Sequence, residues 1–250
     1  MRLPEDATPA RPDPADEMAV RYVRSYLLAR LAIGVLGVLL PLVLLLGDRA
    51  WFVHDVRGSL SAYYHSGMRD VFVGVLCMTG FFLITYMLDR WNWDNVLTIG
   101  AGVAAIGVAW FPTYGEPGTP LTPLQEALGE TTTTRIHFTS AAVFILLLAA
   151  MSWRFAVREG ARPDRDLATR RRWHAFHLSA AFTILAAVAY IAVTKLTGTW
   201  DEYSLLIGEV VAVLAFGLSW LVKGAELEML RGQPAGTGPG TTAVPQEELV

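Results

Sequence analysis

Long apolar runs separated by short polar stretches set the pattern of this chain. A membrane-spanning helix needs about 20 mostly apolar residues to cross a hydrocarbon core of about 30 Å. Six stretches meet that requirement, at about residues 26–47, 70–87, 95–111, 136–157, 174–196 and 203–222. The pattern predicts an all-α, polytopic integral membrane protein with six transmembrane helices. In the first run, "YLLARLAIGVLGVLLPLVLLLG", Pro41 predicts a kink and Arg30 is expected to snorkel to the near interface. In the third, Gly100, Gly102, Ala104, Ala105 and Gly107 are small enough to let a neighbouring backbone approach closely. Residues 1–20 and 231–250 are rich in Pro, Gly and polar residues, the composition of disordered cytoplasmic tails. About 20 acidic and Pro-rich residues precede the first run and "LLGDRAWF" follows it, so it is expected to stay in place rather than be cleaved as a signal peptide.

The polar stretches orient the helices. With both termini on the cytoplasmic side, the inner flanks hold 13 basic residues, including seven arginines from Arg154 to Arg172, and the outer flanks hold 5. The excess predicts an N-in, C-in arrangement. Residues 112–134 carry Glu116, Glu126 and Glu130 with no basic residue, which suits the outer side. Within them, Thr122 followed by Pro123 and Gln125, with Gly129 as a stop, predicts a short interfacial helix.

Composition agrees and excludes several classes. Hydrophobic residues make up 53% of the 250 and charged ones 17%, at a mean hydropathy of +0.40. That is too apolar for an ordinary soluble domain. A net charge of −3, with its basic residues gathered in one loop, argues against nucleic acid as a partner. The single cysteine, Cys77, rules out an intrachain disulfide or a thiolate metal cluster. Eighteen of the 20 basic residues are arginine and Ala, Gly and Pro abound, as in proteins of GC-rich bacteria, so the expected location is a bacterial inner membrane.

Candidate chemistry lies where ionisable residues enter apolar runs, since each such group at membrane depth asks for a partner or a water-filled cavity. Glu209 falls about two turns into the sixth run. In the N-in arrangement, Asp70 opens the second run, His137 opens the fourth, and all three share one level, with His65 just above. Neutral imidazole beside carboxylate suits a divalent cation such as zinc. The same set suits a proton relay. The plainer alternative is that Asp70 caps its helix, His137 and Tyr64 hydrogen-bond at the interface, and Glu209 meets Arg69 or Arg135. Ser61 and His65, four apart, share a face if "SAYYH" is helical. Tyr63, Tyr64, Trp51, Trp110 and Trp200 fit an aromatic belt at the outer level. His174 and His177, beside the arginine cluster, are expected at the inner interface touching anionic lipid.

Two resemblances follow from these stretches. "SAYYHSGMRDVFVGVL", "AWFPT", "RIHFTSAAVF" and "GEVVAVLAFGLSWLVKG" together resemble uncharacterised six-helix bacterial membrane proteins of the DRAM-like, domain-of-unknown-function type. Ser61 and His65 also match the S-x-x-x-H motif of the superfamily of alkaline ceramidases and adiponectin-receptor-like membrane hydrolases, with Asp70 as the acid. That resemblance implies zinc. The sequence departs from the superfamily in its six runs, in the absence of a histidine from the last, and in the spacing of His174 and His177.

The lead expectation is a lipid-directed membrane hydrolase with an outward-facing polar pocket. His65, Asp70, His137 and Glu209 would hold a divalent metal such as zinc, Asp70 or Glu209 would act as catalytic base, and Ser61, Tyr64 and Arg69 would orient a lipid or small-molecule substrate. Two alternatives stand beside it: a proton-coupled or small-solute transporter or channel, and a non-catalytic membrane protein that binds lipid or organises partners. Oligomeric state is open.

Overall fold

A computed structural model describes residues 14–52, 56–85, 92–199 and 201–231. The fold among these residues is all-α, with long apolar helices consistent with a multi-pass membrane protein. The helices are α1 (Pro14–Gly47), α2 (Arg69–Thr85), α3 (Trp93–Trp110), α4 (Pro123–Leu128), α5 (Glu130–Gly160), α6 (Leu167–Thr197) and α7 (Ser204–Arg231). Among the described residues, five segments are long and apolar enough to cross a membrane: Leu27–Phe52, Trp93–Trp110, Glu130–Gly160, Leu167–Thr197 and Ser204–Gly224. α2 is 17 residues long, about 25 Å at about 1.5 Å per residue.

The six long helices form a closed ring. Each of α1, α2, α3, α5, α6 and α7 packs on the next, and α7 returns to α1. Small residues bring neighbours together. A Cβ added to Gly102 would stand 2.5 Å from the Gly80 carbonyl oxygen, and one added to Gly80 would stand 2.7 Å from that of Gly102, so α2 and α3 meet backbone to backbone. The outward faces stay apolar and exposed, with Leu39, Phe81, Val103 and Phe182 among the side chains available to lipid.

Several sequence expectations change in the structure. α1 continues through Pro41 and reaches back to Pro14, into the stretch expected to be a tail; residues 1–13 and 232–250 lie outside the described residues, as do Arg90 and Trp200. Arg30 does not snorkel: it is buried, with its guanidinium 5.7 Å from the Phe155 ring centroid. His177 is fully buried rather than interfacial, bonded to Ser219 Oγ at 2.9 Å and flanked edge-on by Phe155 and Phe176. α4 carries the expected capping box, in which Thr122 Oγ1 accepts the Gln125 amide and Gln125 Oε1 accepts the Thr122 amide.

Candidate functional site

At the end of the ring where α1 stops and α2 starts, residues 58–65 fold inward as a lid. Ser61–His65 form a 3₁₀ turn. The lid is tied to α7: the Leu206 amide donates to the Gly58 carbonyl at 3.0 Å, and the Leu60 amide donates to Glu209 Oε2 at 2.7 Å. Ser59 Oγ accepts the Ala62 amide and lies 3.1 Å from Ser61 Oγ. Tyr63 is fully buried beneath Arg57, and that burial pushes its phenol above the ordinary range and keeps it neutral. Arg57 in turn ties the lid's base to Asp48 and Glu116, both at 3.1 Å.

Under the lid lies a cavity of about 60 Å³. That exceeds the roughly 10–15 Å³ a cavity needs to hold one water. Its walls come from α1, α2, α3, α5 and α7, and are apolar apart from Ser61, Thr79, His137 and Glu209. Glu209 sits five residues inside α7, about 8 Å deep at about 1.5 Å per residue. Among the described residues no lysine or arginine pairs with it, and it accepts a hydrogen bond from the Leu60 amide. His137 is buried and its Nδ1 lies 2.7 Å from the Phe111 carbonyl oxygen. A carbonyl only accepts, so Nδ1 carries the proton.

The structure thus brings Ser61, His137 and Glu209 to one cavity. It sends the other sequence-picked residues elsewhere. His65 bonds through Nε2 to the Thr113 carbonyl at 2.9 Å, the same oxygen that accepts from Gln125 Nε2. The cause is the turn type: at three residues per turn, positions four apart point about 120° away from each other, so Ser61 and His65 cannot share a face. Asp70 is exposed and lines a separate groove with Tyr64 and Arg69. The cavity face of α2 is Phe72, Leu76 and Thr79, and Asp70 lies two residues from Phe72, about 200° around the helix. Among the described residues, no group of three or more His, Cys, Asp or Glu is placed to hold a metal ion.

Compared with protein-family models, curated proteins and solved structures, the chain matches none.

Sequence reasoning missed Thr79 in the cavity wall, though its spacing from Phe72 and Leu76 marks it as one helical face. It also missed two buried acids at the opposite end of the ring. Asp94 takes Arg154 Nε at 2.8 Å and Arg158. Glu159, with no exposed surface, gathers Lys223, Arg165 at 3.3 Å and Arg162 at 3.6 Å. A run of arginines next to a polar loop reads as a lipid-facing surface, and only the fold shows that several of them serve buried carboxylates.

Proposed function

We propose that the chain is a transport protein of the bacterial inner membrane in which Glu209 carries a proton, alone or with a small solute. In this reading the six long helices cross the bilayer, both termini lie in the cytoplasm and the lid faces outward. The observation that carries the reading is the Glu209 carboxylate, which lines the cavity inside the ring, accepts the Leu60 amide and has no described cation beside it. A carboxylate at membrane depth calls for a proton or a cation. Either competes with the Leu60 amide for the same oxygens, so occupancy of Glu209 and closure of the lid are coupled.

The cavity's size favours a proton and a few waters, or the donor end of a small amphiphile, over a bulky substrate. The His137 imidazole gives a second proton-binding side chain on the same wall. The metal-dependent lipid hydrolase reading needs His65, Asp70, His137 and Glu209 in one coordination shell. They are divided between the cavity, the Thr113 carbonyl and the groove, so the observations favour transport.

The test is proton flux. Full-length protein reconstituted in liposomes loaded with a pH-sensitive dye should collapse an imposed pH gradient faster than empty liposomes do. Glu209→Gln should return the rate to that of empty liposomes, while Glu209→Asp retains part of it. Flux that survives Glu209→Gln in folded protein overturns the reading.

A further inference from the structure

A second concavity lies on the outside of the ring, at the same end as the lid. It is a groove of about 630 Å³ between the start of α2 and the end of α3, bordered by Tyr64 and by Leu124 of α4. Arg69 is held in it by two contacts: its guanidinium lies 4.6 Å from the Tyr64 ring centroid, and Nη2 donates to the Tyr64 hydroxyl at 3.0 Å. A guanidinium has five N–H donors, so this anchoring leaves most of them available to an anion. Asp70 follows directly and is exposed in the same groove. Among the described residues neither Arg69 nor Asp70 takes part in an ion pair.

The groove therefore presents one fixed positive group and one free negative group side by side, above an apolar strip. Val73 and Gly74 continue the Asp70 face of α2 at spacings of three and four residues. A Cβ added to Gly74 would meet nothing within 4 Å, so the strip is open. Ala109 and the exposed indole of Trp110 form the facing wall from α3. An exposed tryptophan at the end of an apolar helix marks the level of lipid headgroups.

We infer that this groove binds the headgroup of a phospholipid carrying both a phosphate and an ammonium, with its first acyl carbons along Val73 and Gly74. Arg69 takes the phosphate by charge-assisted hydrogen bonds. Asp70 takes the ammonium, which distinguishes an ethanolamine headgroup from a glycerol one. The apolar strip selects a lipid over a soluble zwitterion. This site is independent of the cavity and of the transport reading.

The test uses purified full-length protein in detergent with equal amounts of phosphatidylethanolamine and phosphatidylglycerol, read by native mass spectrometry. The protein should retain phosphatidylethanolamine in preference by about fivefold, the scale of a partly exposed ion pair. Asp70→Asn should erase the preference and keep phosphatidylglycerol binding. Arg69→Gln should weaken both lipids. Gly74→Leu, which fills the open strip, should displace both, and soluble phosphoethanolamine should displace neither. The melting temperature of each variant is measured alongside, and Asp70→Asn, an isosteric change at an exposed side chain, keeps the test independent of folding. Equal retention of the two lipids, a preference that survives Asp70→Asn, or displacement by phosphoethanolamine would overturn the inference.

Discussion

Replacing Glu159 with glutamine removes one negative charge from the end of the ring opposite the lid and leaves the shape of the site unchanged. Glu159 is fully buried, and the Lys223 side chain that pairs with it is only 9% exposed. Arg165 and Arg162, at 15% and 24%, are the other cations on the same carboxylate. Breaking a buried pair by neutralising one partner costs about 3–5 kcal/mol, and here the cations lose the carboxylate they share. The loss is felt between α5 and α7, which Glu159 and Lys223 join, and it lowers the melting temperature by roughly 6–20 °C at about 2–4 °C per kcal/mol. The assay is thermal unfolding of purified protein in detergent. A second variant separates the charge effect from general damage: Glu159→Leu with Lys223→Leu removes both charges and should recover most of the loss, since apolar replacement of a buried pair is often neutral. A loss under about 1 kcal/mol in Glu159→Gln, or a double variant no better than the single one, would mean that buried charge does not hold α5 to α7.

Three further outcomes follow from the same geometry. Gly102→Leu should destabilise by about 1–3 kcal/mol through overpacking against the Gly80 carbonyl, whereas Gly74→Ala, which meets open space, should be neutral or stabilising; thermal unfolding of the two checks this. Asp166 caps α6 by accepting the Thr169 amide at 2.9 Å, and the Thr169 side chain first, then that amide, hold its carboxyl below the ordinary value of 3.8. A depressed folded value means the cap is complete above the unfolded pKa and is lost as pH falls through the folded one, so protection of the Thr169 amide, its exchange rate relative to the free-chain rate at the same pH, should fall only as pH drops below 3.8 in the wild type and already be low at neutral pH in Asp166→Ala. Chelator should leave the melting temperature unchanged and metal analysis should find no stoichiometric zinc; a one-to-one metal would restore the hydrolase reading.

Much of the fold was legible in the sequence, for specific physical reasons. Apolar length gave the helices, and the expected run at 95–111 became Trp93–Trp110. The Thr122, Pro123 and Gln125 pattern gave α4 because capping is local chemistry. Depth along the helices put His137 and Glu209 near one level, and both line the cavity. Rotation about each helix axis was harder to see. Asp70 was grouped with Glu209 by level, yet it faces the outside of the ring because Phe72 and Leu76 turn the opposite face inward. His65 was joined to Ser61 by α-helical spacing in a segment that winds as a 3₁₀ turn. His177 looked interfacial from its arginine neighbours, and its burial against Ser219 depends on a partner 42 residues away. Long-range pairing of this kind has no local signature.

Proton exchange by Glu209 inside the cavity, linked to the lid, is the proposed step. Infrared difference spectroscopy of the reconstituted protein between two pH values observes that carboxyl directly. The expected result is a carboxyl C=O band that titrates in the wild type, is missing in Glu209→Gln, and is accompanied by faster hydrogen exchange of the Leu60 amide when the group is protonated. A Glu209 carboxyl that keeps one state across the pH range, with the Leu60 amide unaffected, would contradict it.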